Sequence, residues 1–258
     1  MRKITGILVL FLAIWSPAIA GGNDINLKQF YGQFRDTANS QFNSLCKDLG
    51  QALNFIPLAP PEPYGITGFD VGVGITLLKI NQDSDYWKYA TSDMEQPPML
   101  PVPKLSAQKG LPLGLDVGAV LAFIPQSNVK LVGAELRWAL LRGGFVKPAI
   151  GIRGSYTKLL GIPHLNFQTE TIDASISKQI AIITPYVGVG QVFTQGKASF
   201  DYTDPDTNAV TSVELNTKAL SETRGIAGIR LSMLLLSITA EVDFSRIISY
   251  NFKLSAGF

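Results

Sequence analysis

From residue 69 to the last residue the chain repeats one grammar, with an apolar side chain at every second position. Phe69, Val71, Val73, Ile75 and Leu77 alternate with Gly68, Asp70, Gly72, Gly74 and Thr76. Leu115, Val117, Ala119, Leu121 and Phe123 oppose Gly114, Asp116 and Gly118, and Val132, Leu136 and Trp138 oppose Gly133, Glu135 and Arg137. Leu236, Ile238, Ala240, Val242 and Phe244 oppose Ser237, Thr239, Glu241 and Asp243. Successive side chains of a strand point to opposite faces, so a sustained period of two means many strands with one apolar and one polar face. A helical bundle is excluded.

Alternation does not say which face points inward. The polar face carries much of the glycine, 24 residues in all, together with ionisable groups. That suits the wall of a lumen better than a solvated exterior. Connections also alternate in length: Leu141 to Phe145 and Ala181 to Pro185 are tight, whereas Lys158 to Asn166 and Asp201 to Ala219 are long. Short periplasmic turns and longer external loops characterise outer-membrane barrels. The expectation is an all-β fold, an antiparallel transmembrane β-barrel of about ten strands, with eight to twelve compatible. The strands fall near 66–80, 85–92, 113–124, 129–141, 145–157, 167–181, 185–200, 221–233, 236–245 and 248–258. Pro97, Pro98, Pro101 and Pro103 make 93–111 read as a periplasmic loop, with Lys104 to Lys109 able to extend a strand.

The start of the chain reads as an export leader over residues 1–20. Arg2 and Lys3 precede an apolar run from Ile7 to Trp15, and Ser16 to Ala20 supply a small-residue cleavage site. Gly21 closes the lipoprotein route, and the run is too short to span a bilayer as a helix. Losing Arg2 and Lys3 leaves 20 basic against 20 acidic residues. That balance, without a basic block, argues against nucleic acid as a partner. The best later candidate, Leu231 to Leu236, is six residues interrupted by Ser232, too short to cross as a helix.

Residues 21–64 have a different period. Leu27, Phe30, Phe34, Ala38, Phe42, Leu45, Leu49 and Leu53 lie on one helical stripe, with Asp24 placed to cap it and Cys46 beside it as a small packed group. Pro57, Pro60, Pro61 and Pro63 then form a stiff linker. A polar lumen is a poor match for phenylalanine. The expectation is one amphipathic periplasmic helix docked at the periplasmic mouth, near Met99 to Leu105, ahead of a barrel over 65–258.

At the other end, Ile248, Tyr250, Phe252, Leu254, Ala256 and Phe258 alternate with polar residues. A last strand with Tyr250, Phe252 and Leu254 at alternate positions and a terminal Phe258 resembles the assembly signal of Gram-negative outer-membrane β-barrels. The resemblance implies recognition by the barrel-assembly machinery and insertion among outer-membrane lipid. Gly65 to Gly72, after the prolines, also looks like the first strand of small exported barrels without an assigned activity.

The polar face brings Asp70, Asp116, Glu135, Arg137, Lys147, Arg153, Asp173, Arg230, Glu241, Asp243 and Lys253 to the expected lumen. Charges at membrane depth face the interior, where they pair or meet water. They make either a narrow path for a small solute or apolar ligand, the favoured reading, or an ion-paired plug in a closed barrel that binds a partner through its helix or loops. A soluble periplasmic ligand-binding barrel is the third reading. Asp204, Asp206 and Asn208 have calcium-loop spacing, but Ala209 and Leu215 break the pattern. With His164 the only histidine and no nucleophile–base spacing, neither catalysis, a metal nor a cofactor is expected.

Overall fold

Eleven strands form one antiparallel sheet in the computed structural model, and ten of them close on themselves. The structure describes residues 25–258 apart from 80, 82, 91–98, 125, 126, 145, 218 and 219; the leader and Asp24 lie outside the described residues. The strands are β1 (Phe69–Lys79), β2 (Met99–Gly110), β3 (Leu115–Phe123), β4 (Lys130–Arg142), β5 (Ala149–Leu160) and β6 (Leu165–Ser177). Then come β7 (Ile183–Thr203), β8 (Val210–Asn216), β9 (Leu220–Met233), β10 (Leu236–Phe244) and β11 (Ser249–Gly257). Each pairs with its neighbour in the chain, except that β9 returns to β7. The ring shuts where β1 meets β11, from Asp70 opposite Gly257 to Leu78 opposite Ser249. β8 pairs only with the far end of β7, forming a hairpin that extends past the ring.

The count of ten holds, but two segments change identity. The strand expected near 85–92 is a helix over Asp85–Ala90, and 91 and 92 lie outside the described residues. Tyr86, Trp87 and Ala90 are buried together, and adjacent residues such as Tyr86 and Trp87 cannot both face one side of a strand. The expected loop before residue 111 is strand β2 instead. Its prolines are tolerated because β3 begins to pair only at Lys104, so Pro101 and Pro103 lie where β2 has β1 alone beside it.

The faces sort as the alternation demands. Val117, Leu121, Leu136, Trp138, Ile152, Ile172, Val189, Ile238 and Phe252 stand exposed on the outside, while Asp70, Thr76, Asp116, Arg137, Thr239 and Lys253 are buried within. This is a transmembrane wall, apolar toward lipid and polar toward the lumen. Leu136→Arg should therefore cost about 2–4 kcal/mol of folding stability. Val210→Arg, on the hairpin past the ring, should stay within about 0.5 kcal/mol. Urea unfolding in lipid vesicles reads both, and equal responses would mean that the wall does not face lipid.

The two rims differ. One carries the short turns 111–114, 143–148, 178–182 and 234–235 together with the start of β1 and the end of β11; we call it the turn end. The other, the loop end, carries 80–98, 124–129, 161–164, the β7–β8 hairpin and 245–248.

Residues 27–53 form two helices rather than one: α1 (Leu27–Gln33) and α2 (Ala38–Leu53), with the loop helix α3 at Asp85–Ala90. Asn26 caps α1, its side chain accepting from the Gln29 amide at 3.2 Å. Both helices lie at the loop end, the rim from which β2 sets out, so Leu100 and Val102, in the Met99 to Leu105 segment expected beside them, do pack in the same core. Tyr31 stacks on Phe200 and Tyr202 of the hairpin, Phe34 packs on Tyr89 of α3, and α2 lies against β6, β7, β8 and β9. The lumen is polar at mid-depth but apolar toward the loop end. Leu78, Val102, Val120, Leu131, Leu159, Phe167, Ala198 and Leu215 form one core there with Phe30, Phe42, Leu45 and Leu49. The phenylalanine stripe thus has an apolar partner inside the barrel.

Candidate functional site: the strapped lumen

Between α2 at the loop end and β1 at the turn end the chain must travel the height of the barrel. It does so inside the lumen. Residues 54–64 form a strap whose first eight residues are all buried. Eleven residues reach roughly 34 Å at about 3.1 Å each if fully extended, and the strap departs from that at Leu58, whose φ is 52°. An eight-strand barrel is filled by its own side chains, and ten strands leave added width that an extended peptide fills. Proline suits this path because it offers no N–H that would need a partner in a packed lumen.

The strap presents carbonyl oxygens, and the wall supplies donors. Thr157 Oγ1 donates to the Leu53 carbonyl at 2.9 Å, Lys253 Nζ to Pro57 at 3.2 Å and Arg137 Nη1 to Pro60 at 2.8 Å. Arg224 Nη1 donates to Asn54 Oδ1 at 3.0 Å, and Ser177 Oγ to Glu62 Oε1 at 2.7 Å. At the turn end, Tyr64 lies beneath the guanidinium groups of Arg137 and Arg230, at 5.0 and 5.8 Å from its ring centre. Its amide donates to Asp116 Oδ1 at 3.1 Å and its hydroxyl to Gln108.

Behind these contacts the wall charges pair with one another. Arg137 clamps Asp116 through two nitrogens, at 3.0 and 2.7 Å. Arg230 and Lys253 share Asp70. Asp173 accepts two bonds from Arg224, both at 2.9 Å, and another from Arg153, which lies 4.0 Å from Glu135. Asp243 accepts from Asn251 and Ser249 and stands 3.8 Å from Arg224, while Tyr186 donates to Glu241 at 2.6 Å. Six carboxylates (Asp70, Asp116, Glu135, Asp173, Glu241 and Asp243) thus face six cations (Lys104, Arg137, Arg153, Arg224, Arg230 and Lys253). A void of about 20 Å³ remains beside Ala59, Arg137, Arg153, Asp173, Tyr186 and Glu241, room for one water.

Ten of the eleven expected lumen residues are in this network. Lys147 is not: it stands exposed in the turn between β4 and β5, outside the strand whose alternation would have aimed it. Arg224, fully buried at the centre, was missed, as were Lys104, Gln108 and Tyr186. Arg224 shares parity with Arg230 in β9, so extending that strand's alternation by three steps finds it. Lys104 and Gln108 were hidden by the prolines that obscured β2.

The loop end is latched by Asp48 of α2. Its buried carboxylate accepts from Tyr86 Oη at 2.7 Å and Trp87 Nε1 at 2.8 Å, and Arg246 Nε lies at 3.1 Å. Lys47 pairs with Glu222 at 2.9 Å, and Arg35 with Asp204 at 3.0 Å. The Asp206 and Thr207 amides donate to Asp204 and, with Arg35, hold its carboxyl below the usual range. That is an ordinary turn, as the broken calcium spacing suggests. Cys46 sits where a Cβ on Gly196 would come within 2.7 Å of its sulfur, and burial pushes its thiol well up. His164 lies exposed in the 161–164 loop at φ 66°. Among the described residues no group of three or more histidine, cysteine, aspartate or glutamate side chains is arranged to hold a metal ion.

Along the last strand, Phe252 faces outward, and the Phe258 ring packs edge-on against Phe69 with centres 4.9 Å apart. Phe258 and Phe69 also exchange both backbone hydrogen bonds, at 2.9 and 3.1 Å, across the closing seam.

No family model and no curated protein matches the chain. Among solved structures it is similar to the KdgM porin, at 8% identity over 73% of this chain and 99% of that one, with a TM-score of 0.38. It is also similar to the translocator domain of the autotransporter NalP from Neisseria meningitidis, at 8% identity over 89% and 99% with a TM-score of 0.36. Ail of Yersinia pestis, in complex with the heparin analogue sucrose octasulfate, gives 11% identity over 74% and 96% with a TM-score of 0.29. Likeness this distant carries no argument about ligand or activity. The chain is a ten-strand transmembrane barrel on the strength of its own closure and its own apolar wall.

Proposed function

We propose that the protein is a sealed outer-membrane barrel that displays a helical cap at the cell surface and works by binding a partner there. The observation behind this reading is the strap: residues 54–64 occupy the lumen, and wall cations hold their carbonyls. The narrow-channel reading requires the strap to leave first. Selectivity would then be weak, because six carboxylates balance six cations. A soluble ligand-binding barrel does not suit an outward face made of Leu121, Leu136, Ile172 and Val189. The proposed role of the cap is binding.

Orientation follows from the rims. Short turns belong in the periplasm and longer loops outside, which puts α1, α2, α3 and the β7–β8 hairpin at the surface. Ile25, ahead of α1, is then external as well. The Phe258 strand serves as the signal to the assembly machinery, and the barrel sits among outer-membrane lipid without a cofactor. An epitope inserted between Gly22 and Asn23 should bind antibody on intact cells, and the folded protein should need detergent and shift mobility on heating. Antibody binding only after the outer membrane is permeabilised would overturn the orientation; recovery as a soluble periplasmic monomer would overturn the location.

A further inference from the structure

The turn end has a chemistry that neither the strap nor the cap uses. Around a ten-strand ring the short turns fall every second strand, giving four positions, and the β11–β1 seam is a fifth. Each carries a projecting apolar side chain. Leu113 lies between β2 and β3, Val146 between β4 and β5, Ile180 between β6 and β7, Leu234 between β9 and β10, and Phe258 with Ile66 at the seam. Val146 is 88% exposed and Leu234 completely so. Turn tips normally carry glycine, asparagine or aspartate. Here Leu113, Ala181 and Leu234 hold positive φ angles of 63°, 54° and 50°, a left-handed backbone that favours glycine.

Charge follows the same rule. Lys109, Arg142, Lys147 and Lys178 surround this rim, Lys109 donating to the Ile66 and Gly68 carbonyls and Lys178 to that of Gly144, and its turn segments contain no aspartate or glutamate. The nearest acids turn inward, Glu62 onto Ser177, Asp70 onto Arg230 and Lys253, and Asp116 onto Arg137. The loop end differs: its exposed residues mix both signs, Asp83, Asp85 and Asp206 beside Lys88, Lys130 and Arg246.

We propose that the turn end is a lipid-binding rim, immersed in the periplasmic leaflet, where its five apolar tips enter the bilayer and its four cations hold anionic phospholipid headgroups. The distribution selects lipid over a protein partner. A protein would cover one side of the rim, whereas apolar tips at every station around a ring match a plane, continuous with the apolar wall above. Cations without acids complement phosphate. The proposal rests on the membrane-barrel reading, and the test separates the two.

The protein, carrying Cys46→Ala, would be labelled with a fluorophore at Leu234→Cys, Val146→Cys, Leu136→Cys or Asp206→Cys and folded into vesicles of phosphatidylethanolamine and phosphatidylglycerol. Labels at 234 and 146 should be quenched by lipid-borne nitroxide and protected from iodide, like the mid-wall label at 136 and unlike that at 206. Iodide quenching at 234 and 146 with lipid quenching retained at 136 overturns the rim proposal alone. Iodide quenching at all four sites overturns the membrane barrel itself. Arg142→Gln with Lys147→Gln should lower co-purified phosphatidylglycerol about fivefold per cation removed, the equivalent of about 1 kcal/mol each. Unchanged lipid composition in the folded double variant overturns the headgroup assignment.

Discussion

A barrel lacking residues 25–64 is expected to conduct ions steadily in planar lipid bilayers, where the full-length protein is silent. In the full-length lumen the strap fills the width that ten strands leave, and the void beside Ala59 has room for one water. The truncated wall should still fold, since every strand takes its backbone hydrogen bonds from its neighbours and the seam from β1 to β11 needs nothing from the strap. Without Pro57 and Pro60, Lys253 and Arg137 regain water in place of carbonyls. The open pore should discriminate little between potassium and chloride, given the balance of wall charges. A heat-modifiable band confirms folding, and the current before and after truncation is the readout. Silence from a folded truncated barrel would show that the wall side chains close the lumen unaided and that the strap is not the seal.

Arg224→Met should destabilise the full-length protein by about 3–5 kcal/mol, the cost of leaving buried charge without its partner. Arg224 is the only cation contacting both Asp173 and Asp243 among the described ion pairs, and it also donates to Asn54 of the strap. In the strap-deleted barrel the same substitution should cost markedly less, because water then reaches both carboxylates. The two changes should therefore fail to add, as expected of neighbours in one network. Urea unfolding of the four proteins in vesicles measures the coupling. Equal costs in the two backgrounds would mean that the strap does not keep this part of the lumen dry.

The wall was legible in the sequence because membrane barrels sort side chains by a strict period of two. Nine of the ten wall strands and the sorting of side chains into two faces followed from that, whereas which face points inward needed the glycines, the charges and the loop lengths as well. Legibility stopped where two rules competed. Pro101 and Pro103 argue against a central strand, but only the pairing with β1 on one side and the late start of β3 show that β2 is an edge at that height. Tyr86 and Trp87 could extend a strand pattern until their joint burial beneath α2 is seen. What covers the helix stripe was missed because the lumen was treated as uniformly polar. Inward residues grade from Asp70 and Asp116 at the turn end to Leu78, Val120, Leu159 and Phe167 at the loop end, and that gradient appears only when strands are set side by side in register.

The wall grips the strap between Leu53 and Pro60 largely through main-chain oxygens, with Asn54 the exception, and this separates two kinds of evolutionary freedom. A carbonyl is the same whatever side chain sits beside it. Along that stretch, substitutions that keep the length, the backbone path with its left-handed Leu58 position and the scarcity of N–H groups leave Thr157, Arg137 and Lys253 satisfied. Those three residues have no such latitude, since each is fixed by what it must donate to. Across relatives of this chain, drift should accumulate in the threaded peptide while the donors that hold it stand still. A ligand site differs in that both guest and lining are fixed, whereas here the guest side chains are free and only the lining is held.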